Sequence, residues 1–243
     1  MRAALITDIH SNLPALEAVL AAIDKRGVEE IWCLGDVVGY GADPDSCATL
    51  VRERCEVRLV GNHDLAVLGD LDISSFSAAA ADAVRWTREN AAQETFDSLG
   101  GLSPSGLREG FALFHASPRD PIWEYVLSTD QADECMDVQP EPVSFVGHSH
   151  VALYFLRAEG DDARGAQAGI GSMLDLSEGT WLLNPGSVGQ PRDGDPRAAW
   201  VELDTSVRTA RYNRVPYDID DAAGAIIDAG LPKHLAQRLY SGQ

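Results

Sequence analysis

Basic residues are scarce in this sequence of 243 residues, which has 19 Lys and Arg against 38 Asp and Glu, a formal net charge of −19. A protein that binds DNA or RNA without sequence preference needs a surplus of cations to neutralise phosphates. The opposite balance argues against a nucleic-acid-binding surface. The overall field also repels an anionic substrate, so such a substrate would need a local cluster of cations, and metal ions are one source of them.

Cysteines are few and apolar runs are short. No two of the four cysteines have the C-x-x-C spacing of a thiolate zinc site: Cys33, Cys47, Cys55 and Cys135. No segment approaches the roughly 20 apolar residues of a membrane span, and the first apolar run is too short for a signal peptide. We therefore expect a cytoplasmic protein with reduced thiols and no membrane association.

The N-terminal third has the pattern of an alternating α/β sheet. Short apolar runs at residues 3–7, 31–34 and 57–60 predict buried strands. Apolar residues at helical spacing between the first two runs predict a crossover helix that stops at Gly27, and residues 43–54 predict a second helix. A strand, crossover helix and strand in succession predict parallel pairing.

The rest of the chain predicts a helical insert and a second sheet. Residues 76–99 are rich in alanine and other helix formers, and we place the whole insert around residues 66–108. Six further strands with tight turns predict a partly antiparallel sheet, at residues 111–114, 143–146, 151–156, 180–183, 198–203 and 207–212. The glycine-rich segment 157–179 predicts a poorly ordered hairpin connection, and residues 218–229 and 232–240 predict terminal helices. We expect a single domain spanning residues 1–243.

Five of the six histidines follow predicted strands within polar clusters: His10, His63, His115, His148 and His150. Ligands of an open α/β sheet collect at the carboxyl ends of its strands. A scattered structural histidine needs no explanation, whereas five at strand ends indicate a common site.

Carboxylates accompany these histidines at the first two strand ends. Asp8 and His10 are two residues apart, so on an extended chain their side chains point the same way. Asp36 ends the next strand, and its two oxygens allow it to bridge two ions. Each short motif alone is also common in turns and helix caps.

Two further clusters complete a ligand set. Asn62, His63 and Asp64 follow the third strand, and His148 and His150 form an H-x-H pair after residues 143–146. His115 follows residues 111–114, where a buried structural histidine is an equally good interpretation. Imidazole with carboxylate suits Mn²⁺, Fe or Zn²⁺ better than Ca²⁺. Seven ligands are too many for one tetrahedral ion, whereas two ions that share Asp36 account for them.

The order of these motifs resembles the calcineurin-like metallophosphoesterase superfamily. The motifs are D-x-H, G-D, G-N-H-D, a lone histidine and G-H-x-H, between Asp8 and His150. The segments 35–41 (GDVVGYG) and 184–190 (NPGSVGQ) resemble its bacterial and archaeal small-phosphodiesterase branch. The resemblance implies an α/β fold, a four-layer α/β/β/α sandwich of two mixed β-sheets flanked by helices.

The resemblance also implies a division of the site residues. One metal takes Asp8, His10, Asp36 and His150, and the other takes Asp36, Asn62, His115 and His148. His63 is implied to be the catalytic histidine that protonates or stabilises the leaving oxygen, with Asp64 orienting its imidazole. Two divalent ions per chain are expected, with Mn²⁺ favoured over Fe or Zn²⁺.

The implied activity is hydrolysis of a small phosphorylated substrate by a metal-bridging hydroxide, as in a phosphodiesterase. Protein Ser/Thr phosphatases of this superfamily carry an arginine soon after the G-D motif, and this sequence does not. Candidate phosphate-binding substitutes are Arg119, Arg192 and Arg197. A nucleotide or dinucleoside polyphosphate hydrolase and a phosphomonoesterase remain alternatives within the enzyme class. A non-catalytic scaffold on the same fold is the alternative outside it. The insert could be a lid over the site or a plain packing element.

Overall fold

The computed structural model describes residues 1–243, which form two six-stranded mixed sheets. Sheet A contains, in spatial order, β3 (Val57–Arg58), β2 (Glu30–Cys33), β1 (Arg2–Ile6), β11 (Ala198–Asp204), β12 (Thr209–Val215) and β9 (Met173–Asp175). Sheet B contains β4 (Ser105–Arg108), β5 (Phe111–Phe114), β6 (Val143–Phe145), β10 (Thr180–Pro185), β7 (Ala152–Arg157) and β8 (Arg164–Gln167). The predicted pair of mixed sheets is confirmed.

Eight α-helices and one short 3₁₀ turn (Ile73–Ser75) accompany the sheets. The α-helices are α1 (Leu13–Arg26), α2 (Pro44–Arg54), α3 (Asn62–Leu68), α4 (Ala78–Asn90), α5 (Gln93–Leu99), α6 (Thr129–Met136), α7 (Ile219–Asp228) and α8 (Lys233–Ser241). None of them combines the length and the apolar character that crossing a membrane requires.

Strand β1 shows why the sheets stack as layers. Ala3 and Leu5 pack into the apolar core between the two sheets, whereas Ala4 and Ile6 pack against helices on the outer face of sheet A. Alternate residues of a strand point to opposite faces, so a strand buried on both faces needs an unbroken apolar run. Helix α6 covers the outer face of sheet B. The layers are therefore helix, sheet, sheet and helix.

The parallel strands of each sheet bring their following loops to one place. In sheet A, β1 pairs in parallel with β2, and β2 pairs in parallel with β3. In sheet B, β5 pairs in parallel with β6. The segments that directly follow these five strands carry every predicted metal ligand. Because parallel strands end at the same edge, the ligands of each sheet converge.

The structure differs from the sequence-based prediction in three segments. The predicted insert, residues 66–108, extends too far along the chain, because Ser105–Arg108 is strand β4 and pairs with β5. Residues 157–179 are not a poorly ordered connection, because they contain β8 in sheet B and β9 in sheet A. The four residues of β8 are all exposed, so their sequence has no apolar alternation, and backbone pairing with β7 defines the strand. Helix α6 was not predicted, although Ser128 and Gln131 form its capping box.

The C-terminal helices pack next to the loop that follows β2. Leu235 and Leu239 of α8 share a buried apolar cluster with Ile226 of α7, Ala83 of α4 and Tyr40. The chain therefore returns at its C-terminal end to the edge of the sheets where the predicted ligands lie.

Candidate metal centre and active site

The structure brings all seven predicted metal ligands together, and all are buried. Ligand atoms of six of them form two groups in which every atom lies within 4.8 Å of the others: Asp8, His10, Asp36 and His150 in one, and Asp36, His115 and His148 in the other. The Oδ1 atom of Asn62 lies 3.2 Å from Nε2 of His115 and so joins the second group. Asp36 belongs to both groups, as a bridging ligand would.

Backbone carbonyls fix the tautomer of three of these histidines. The Nδ1 atoms of His10, His115 and His150 lie 3.1, 3.0 and 2.7 Å from the carbonyl oxygens of residues 38, 34 and 190. A carbonyl oxygen only accepts hydrogen bonds, so each Nδ1 carries the proton. Each Nε2 therefore presents a lone pair toward the cluster, the arrangement that outer hydrogen bonds impose on metal-binding histidines.

Two of these lone pairs face each other. The Nε2 atoms of His10 and His150 lie 3.1 Å apart, and neither has a proton to donate to the other. At metal–nitrogen bonds of about 2.0–2.1 Å, two nitrogens on adjacent positions of one ion lie about 3 Å apart. The separation and the orientation of the two imidazoles both fit a shared cation.

The two central carboxylates are each anchored through one oxygen and free at the other. Oδ2 of Asp8 accepts hydrogen bonds from Thr7 Oγ1 and from the His148 amide, and Oδ1 of Asp36 accepts one from the His63 amide. The other oxygens, Oδ1 of Asp8 and Oδ2 of Asp36, are buried without a partner. A buried unpaired carboxylate oxygen is costly unless a cation binds it. The donor set of imidazole nitrogen and carboxylate oxygen suits Mn²⁺, Fe or Zn²⁺, so the residues present fit a divalent metal pair.

Burial shifts the pKa values of the cluster toward the neutral forms. Desolvation raises the pKa of Asp8 to about 7 and the pKa of Asp36 well above its usual value. Desolvation also lowers the pKa values of His10 and His115 well below the ordinary value of histidine. It lowers the pKa of His148 to about 4. These shifts favour protonated carboxylates and neutral imidazoles in the metal-free site. A cation that binds would displace the carboxylate protons and accept the imidazole lone pairs.

Backbone strain is concentrated in the loops that carry the ligands. Of the nine non-glycine residues with positive φ, seven lie in these loops: Asp8, His10, Ser11, Asp36, Tyr40, His148 and His150. Such conformations cost about 1–3 kcal/mol each and persist where the surroundings impose them, most often at functional sites. The strain therefore marks the same place as the convergence of ligands.

Gly61 lets the backbone after β3 lie against two of the metal ligands. A Cβ atom on Gly61 would lie 2.0 Å from Oδ1 of Asp36 and 2.6 Å from Cε1 of His115. No larger residue fits at this position without displacing a side chain of the ligand set.

Aromatic rings hold His63 at the edge of the cluster. Its ring centroid lies 4.4 Å from that of Tyr40 and 5.0 Å from that of Phe76. Its Nδ1 atom has no hydrogen-bond partner and faces Gly39, where a Cβ atom would lie 2.6 Å away. The ring is therefore positioned by packing, and its other nitrogen, Nε2, is the one on the cavity side.

Asp64 does not orient the imidazole of His63, which corrects the sequence-based expectation. Its Oδ1 accepts a hydrogen bond from the Val38 amide and its Oδ2 accepts one from the Gly61 amide, both at 3.0 Å. Because Asp64 occupies the third position of α3, its carboxylate caps the N-terminus of that helix. It thereby ties the loop after β2 to the loop after β3, and so positions residues on both sides of the metal cluster.

Only one of the three candidate arginines lies in the site. Arg192 lines the cavity above the cluster, where its guanidinium lies 5.7 Å from the Tyr40 ring centroid and 3.1 Å from Oε1 of Gln190. Arg119 instead forms ion pairs with two glutamates, at residues 124 and 134. Arg197 pairs with Asp195 at 2.6 Å. The predictions for Arg119 and Arg197 are therefore wrong, because neighbouring carboxylates already occupy both guanidinium groups.

A cavity of about 370 Å³ opens directly over the cluster. Its floor includes Asp36, Asn62, His63, His148 and His150, and its walls include five large side chains that sequence reasoning missed: Tyr40, Phe76, Trp123, Tyr125 and Arg238. Tyr40 stands in the G-D-V-V-G-Y-G segment and could have been found there. The other four lie in segments without a recognisable motif, and only the folded chain brings them to the site.

The chain is similar throughout its length to known metallophosphoesterases. The model of the calcineurin-like phosphoesterase superfamily domain matches residues 1–206. An uncharacterized protein of Methanocaldococcus jannaschii is 40% identical over 245 residues, covering 99% of this chain and 98% of the relative.

Two solved structures have the same fold. A metallophosphoesterase from Sphaerobacter thermophilus superposes with a TM-score of 0.91 at 39% identity, covering 100% of this chain and 99% of the other. A hypothetical protein from Pyrococcus horikoshii superposes with a TM-score of 0.79 at 18% identity, covering 100% and 98%. With the ligand geometry and the family match together, the chain belongs to the calcineurin-like phosphoesterase superfamily.

Proposed function

We propose that this protein is a phosphodiesterase that hydrolyses small phosphate esters with a pair of divalent metal ions. The observation that carries this proposal is the convergence of unprotonated Nε2 atoms and unpaired carboxylate oxygens around Asp36. This cluster forms the floor of a cavity that also presents His63 and Arg192. Metal ligands, a surplus histidine and a cation in one cavity are the parts that phosphoryl hydrolysis needs.

The proposed ligand sets follow the two groups of the structure. Asp8, His10, Asp36 and His150 would hold one ion, and Asp36 would share the other with three side chains: Asn62, His115 and His148. We propose manganese for both positions, with iron or zinc as alternatives, because the set mixes imidazole and carboxylate donors. When bound, a metal pair makes water a better nucleophile near neutral pH and offsets the charge of the phosphoryl group.

His63 would act on the leaving group. Burial and the positive charge of Arg192 lower the pKa of His63 well below the ordinary value, so its imidazole is neutral near pH 7. With Nδ1 facing Gly39, a proton on Nε2 can be donated as a hydrogen bond into the cavity. In the proposed reaction the water oxygen bonds to phosphorus and the bond to the leaving oxygen breaks. One proton of the water ends on the leaving oxygen, which His63 stabilises as its charge develops.

Arg192 would bind a phosphoryl oxygen. It forms no ion pair with an acidic side chain, and its buried Nε has no partner. Its positive charge acts on Asp8, Asp36 and His63, which places it within electrostatic reach of the metal cluster. A guanidinium with free donors is suited to bidentate contact with a phosphate.

The size of the cavity supports a diester. About 370 Å³ lies within the range of small-molecule binding sites, roughly 300–1,000 Å³. That space exceeds a bare phosphoryl group, so substituents on both sides of phosphorus fit. The sequence lacks the arginine after the G-D motif, and so lacks one fixed cation that would favour a dianionic monoester.

The test is a hydrolysis assay on protein stripped of metal and resupplied with Mn²⁺. We expect bis(4-nitrophenyl) phosphate to be hydrolysed faster than 4-nitrophenyl phosphate, and only in the presence of the metal. A His10→Ala, His150→Ala double variant should lose this activity, and Arg85→Gln, a surface change on α4, should keep it. Absence of ester hydrolysis with Mn²⁺, Fe²⁺ and Zn²⁺ would overturn the proposal.

A further inference from the structure

Tyr40 is the one aromatic residue of the segment 35–41, and it has no part in the proposed reaction. It lines the cavity over the metal cluster, although it is only 8% exposed. A buried tyrosine usually gives its hydroxyl a hydrogen-bond partner. The surroundings of the Tyr40 hydroxyl therefore indicate what this side chain does in the cavity.

Two glycines let the backbone turn sharply at Tyr40. Gly39 has a φ of +91°, and a Cβ atom there would lie 2.6 Å from Nδ1 of His63. A Cβ atom on Gly41 would lie 2.5 Å from the carbonyl oxygen of His10. Tyr40 itself has a φ of +56°, a conformation that bulky residues rarely adopt. The segment is therefore strained at the one residue that carries the ring, as is common at functional sites.

Packing from two parts of the chain fixes the Tyr40 ring. The ring belongs to the buried apolar cluster that includes Leu235 and Leu239 of α8. Its centroid also lies 4.7 Å from that of the His10 ring and 4.4 Å from that of the His63 ring. The ring is therefore held between the C-terminal helix and the metal cluster, and the position of its hydroxyl is set by the fold.

The Tyr40 hydroxyl accepts a hydrogen bond and donates none to the protein. Nη2 of Arg192 lies 3.4 Å from the tyrosine oxygen, and the guanidinium lies 5.7 Å from the ring centroid. An arginine only donates, so the tyrosine oxygen is the acceptor in this contact. A phenol keeps its proton near neutral pH, so the Tyr40 O–H is available to a ligand of the cavity.

Arg192 brings its own donors to the same part of the cavity. Its Nη2 also donates to Oε1 of Gln190 at 3.1 Å, whereas its buried Nε has no partner. The Arg192 amide donates to the carbonyl of His150 at 3.0 Å, which ties the arginine to a metal ligand. Because Nη2 and the tyrosine oxygen are neighbours, an anion that contacts this guanidinium lies within reach of the hydroxyl.

We propose that Tyr40 is a further catalytic residue, whose hydroxyl donates a hydrogen bond to a non-bridging phosphoryl oxygen beside Arg192. This inference rests on the proposed function, because it assumes that the phosphoryl group lies over the metal cluster. The sequence has no arginine soon after the G-D motif, and Tyr40 brings an uncharged donor to the cavity from that segment. The donor is most useful where negative charge develops on the phosphoryl oxygens.

The test is a titration with diphenylphosphinate, a phosphoryl anion whose P–C bonds water does not hydrolyse. Calorimetry on the Mn²⁺-supplemented protein measures its Kd. Tyr40→Phe keeps the ring and removes only the hydroxyl, so we expect it to keep its metal ions and to weaken binding by about ten-fold or more, the size of a hydrogen bond to a charged group. The control Tyr217→Phe removes a tyrosine hydroxyl outside the cavity, which accepts from Asn12 at 3.3 Å, and should stay within about two-fold.

A second background separates direct contact from support of the arginine. In Arg192→Met, adding Tyr40→Phe should still weaken binding by about five-fold or more. The kcat/KM on bis(4-nitrophenyl) phosphate gives the same comparison where binding is too weak for calorimetry. An effect of Tyr40→Phe that disappears in this background would mean that the hydroxyl acts only through Arg192, and would overturn the inference.

Three other results would also overturn it: equal affinities of the unaltered protein and Tyr40→Phe, binding by neither, or loss of metal from Tyr40→Phe. The titration needs no turnover. If the ester screen failed while Tyr40→Phe still weakened diphenylphosphinate binding, the proposed function alone would be overturned. If esters were hydrolysed and the affinities were equal, only the role of Tyr40 would be wrong.

Discussion

The Nε2 atoms of His10 and His150 lie 3.1 Å apart, and the carbonyl contacts of both Nδ1 atoms leave neither Nε2 with a proton to share. Two lone pairs at this distance repel each other unless a cation lies between them. The outer hydrogen bonds therefore prepare the site for a metal before any metal binds, which lowers the reorganisation needed on binding.

Removing the shared carboxylate should remove both metal ions. Asp36 belongs to both ligand groups, whereas His115 belongs to one. We expect Asp36→Ala, purified in Mn²⁺, to retain less than one ion per chain, and His115→Ala to retain about one. Elemental analysis after desalting measures both. Two ions per chain in Asp36→Ala would contradict the bridging role.

Metal affinity should rise with pH. Desolvation raises the pKa of Asp8 to about 7, so near pH 6 the metal-free protein holds a proton there that an ion must displace. Above pH 7 that carboxylate is ionised and no displacement is needed, so the affinity rises by about ten-fold between about pH 6 and pH 8 for one such group.

Calorimetry in buffers of different ionisation enthalpy measures the protons released. The pKa values of His10 and His150 lie well below the ordinary value, so these imidazoles are neutral over this range and the protons come from carboxylates. Mn²⁺ binding without proton release at about pH 6 would contradict this account of the metal-free site.

Gly61→Ala should abolish metal binding while the chain still folds. The added Cβ would lie 2.0 Å from Oδ1 of Asp36, so the carboxylate or the loop must move. The matched control is Gly224→Ala on α7, where no atom lies within 4 Å of the new Cβ. That change should stabilise the protein by about 1 kcal/mol, because alanine is the better helix former. Circular dichroism checks folding and elemental analysis checks metal content. Normal metal content in Gly61→Ala would contradict this prediction, because it would mean that the loop can move to accept the Cβ atom without loss of the ligand geometry.

His63→Ala should keep the metals and lose turnover. The side chain is not among the ligand groups, and the substitution keeps the hydrogen bond that the backbone amide of residue 63 donates to Asp36. We expect kcat on an ester with a poor leaving group to fall by about 10²–10⁴-fold, the usual worth of proton-transfer or hydrogen-bond help to a leaving oxygen. An ester with a 4-nitrophenolate leaving group needs less help and should show a smaller loss. Unchanged kcat on the poor leaving group would exclude this role.

The ligand set could be predicted from sequence because its physical origin is local. Asp8, Asp36 and His115 each follow an apolar strand, and parallel pairing brings such strand ends together whatever the rest of the fold does. Apolar runs also placed nine of the twelve strands within a few residues of their observed bounds. Strands β4, β8 and β9 were missed. The four residues of β8 show why, because a fully exposed edge strand has no apolar periodicity to read.

The side chains of the cavity walls could not be predicted, because tertiary packing decides which residues reach the cavity. Arg238 reaches the cavity only because the buried face of α8 docks beside Tyr40, and nothing in the helix sequence specifies that docking partner. The prediction for Arg119 was wrong because it also depended on packing. Arg119 lies four residues after His115 in the sequence, but in the fold two glutamates already neutralise its charge.

The most direct measurement is anomalous diffraction from crystals grown with Mn²⁺. The account predicts two manganese peaks about 3.5–4 Å apart on either side of Asp36, one bound by the Nε2 atoms of His10 and His150 and the other by those of His115 and His148. A map without manganese between His10 and His150, or with a single ion that Asp36 does not contact, would contradict it.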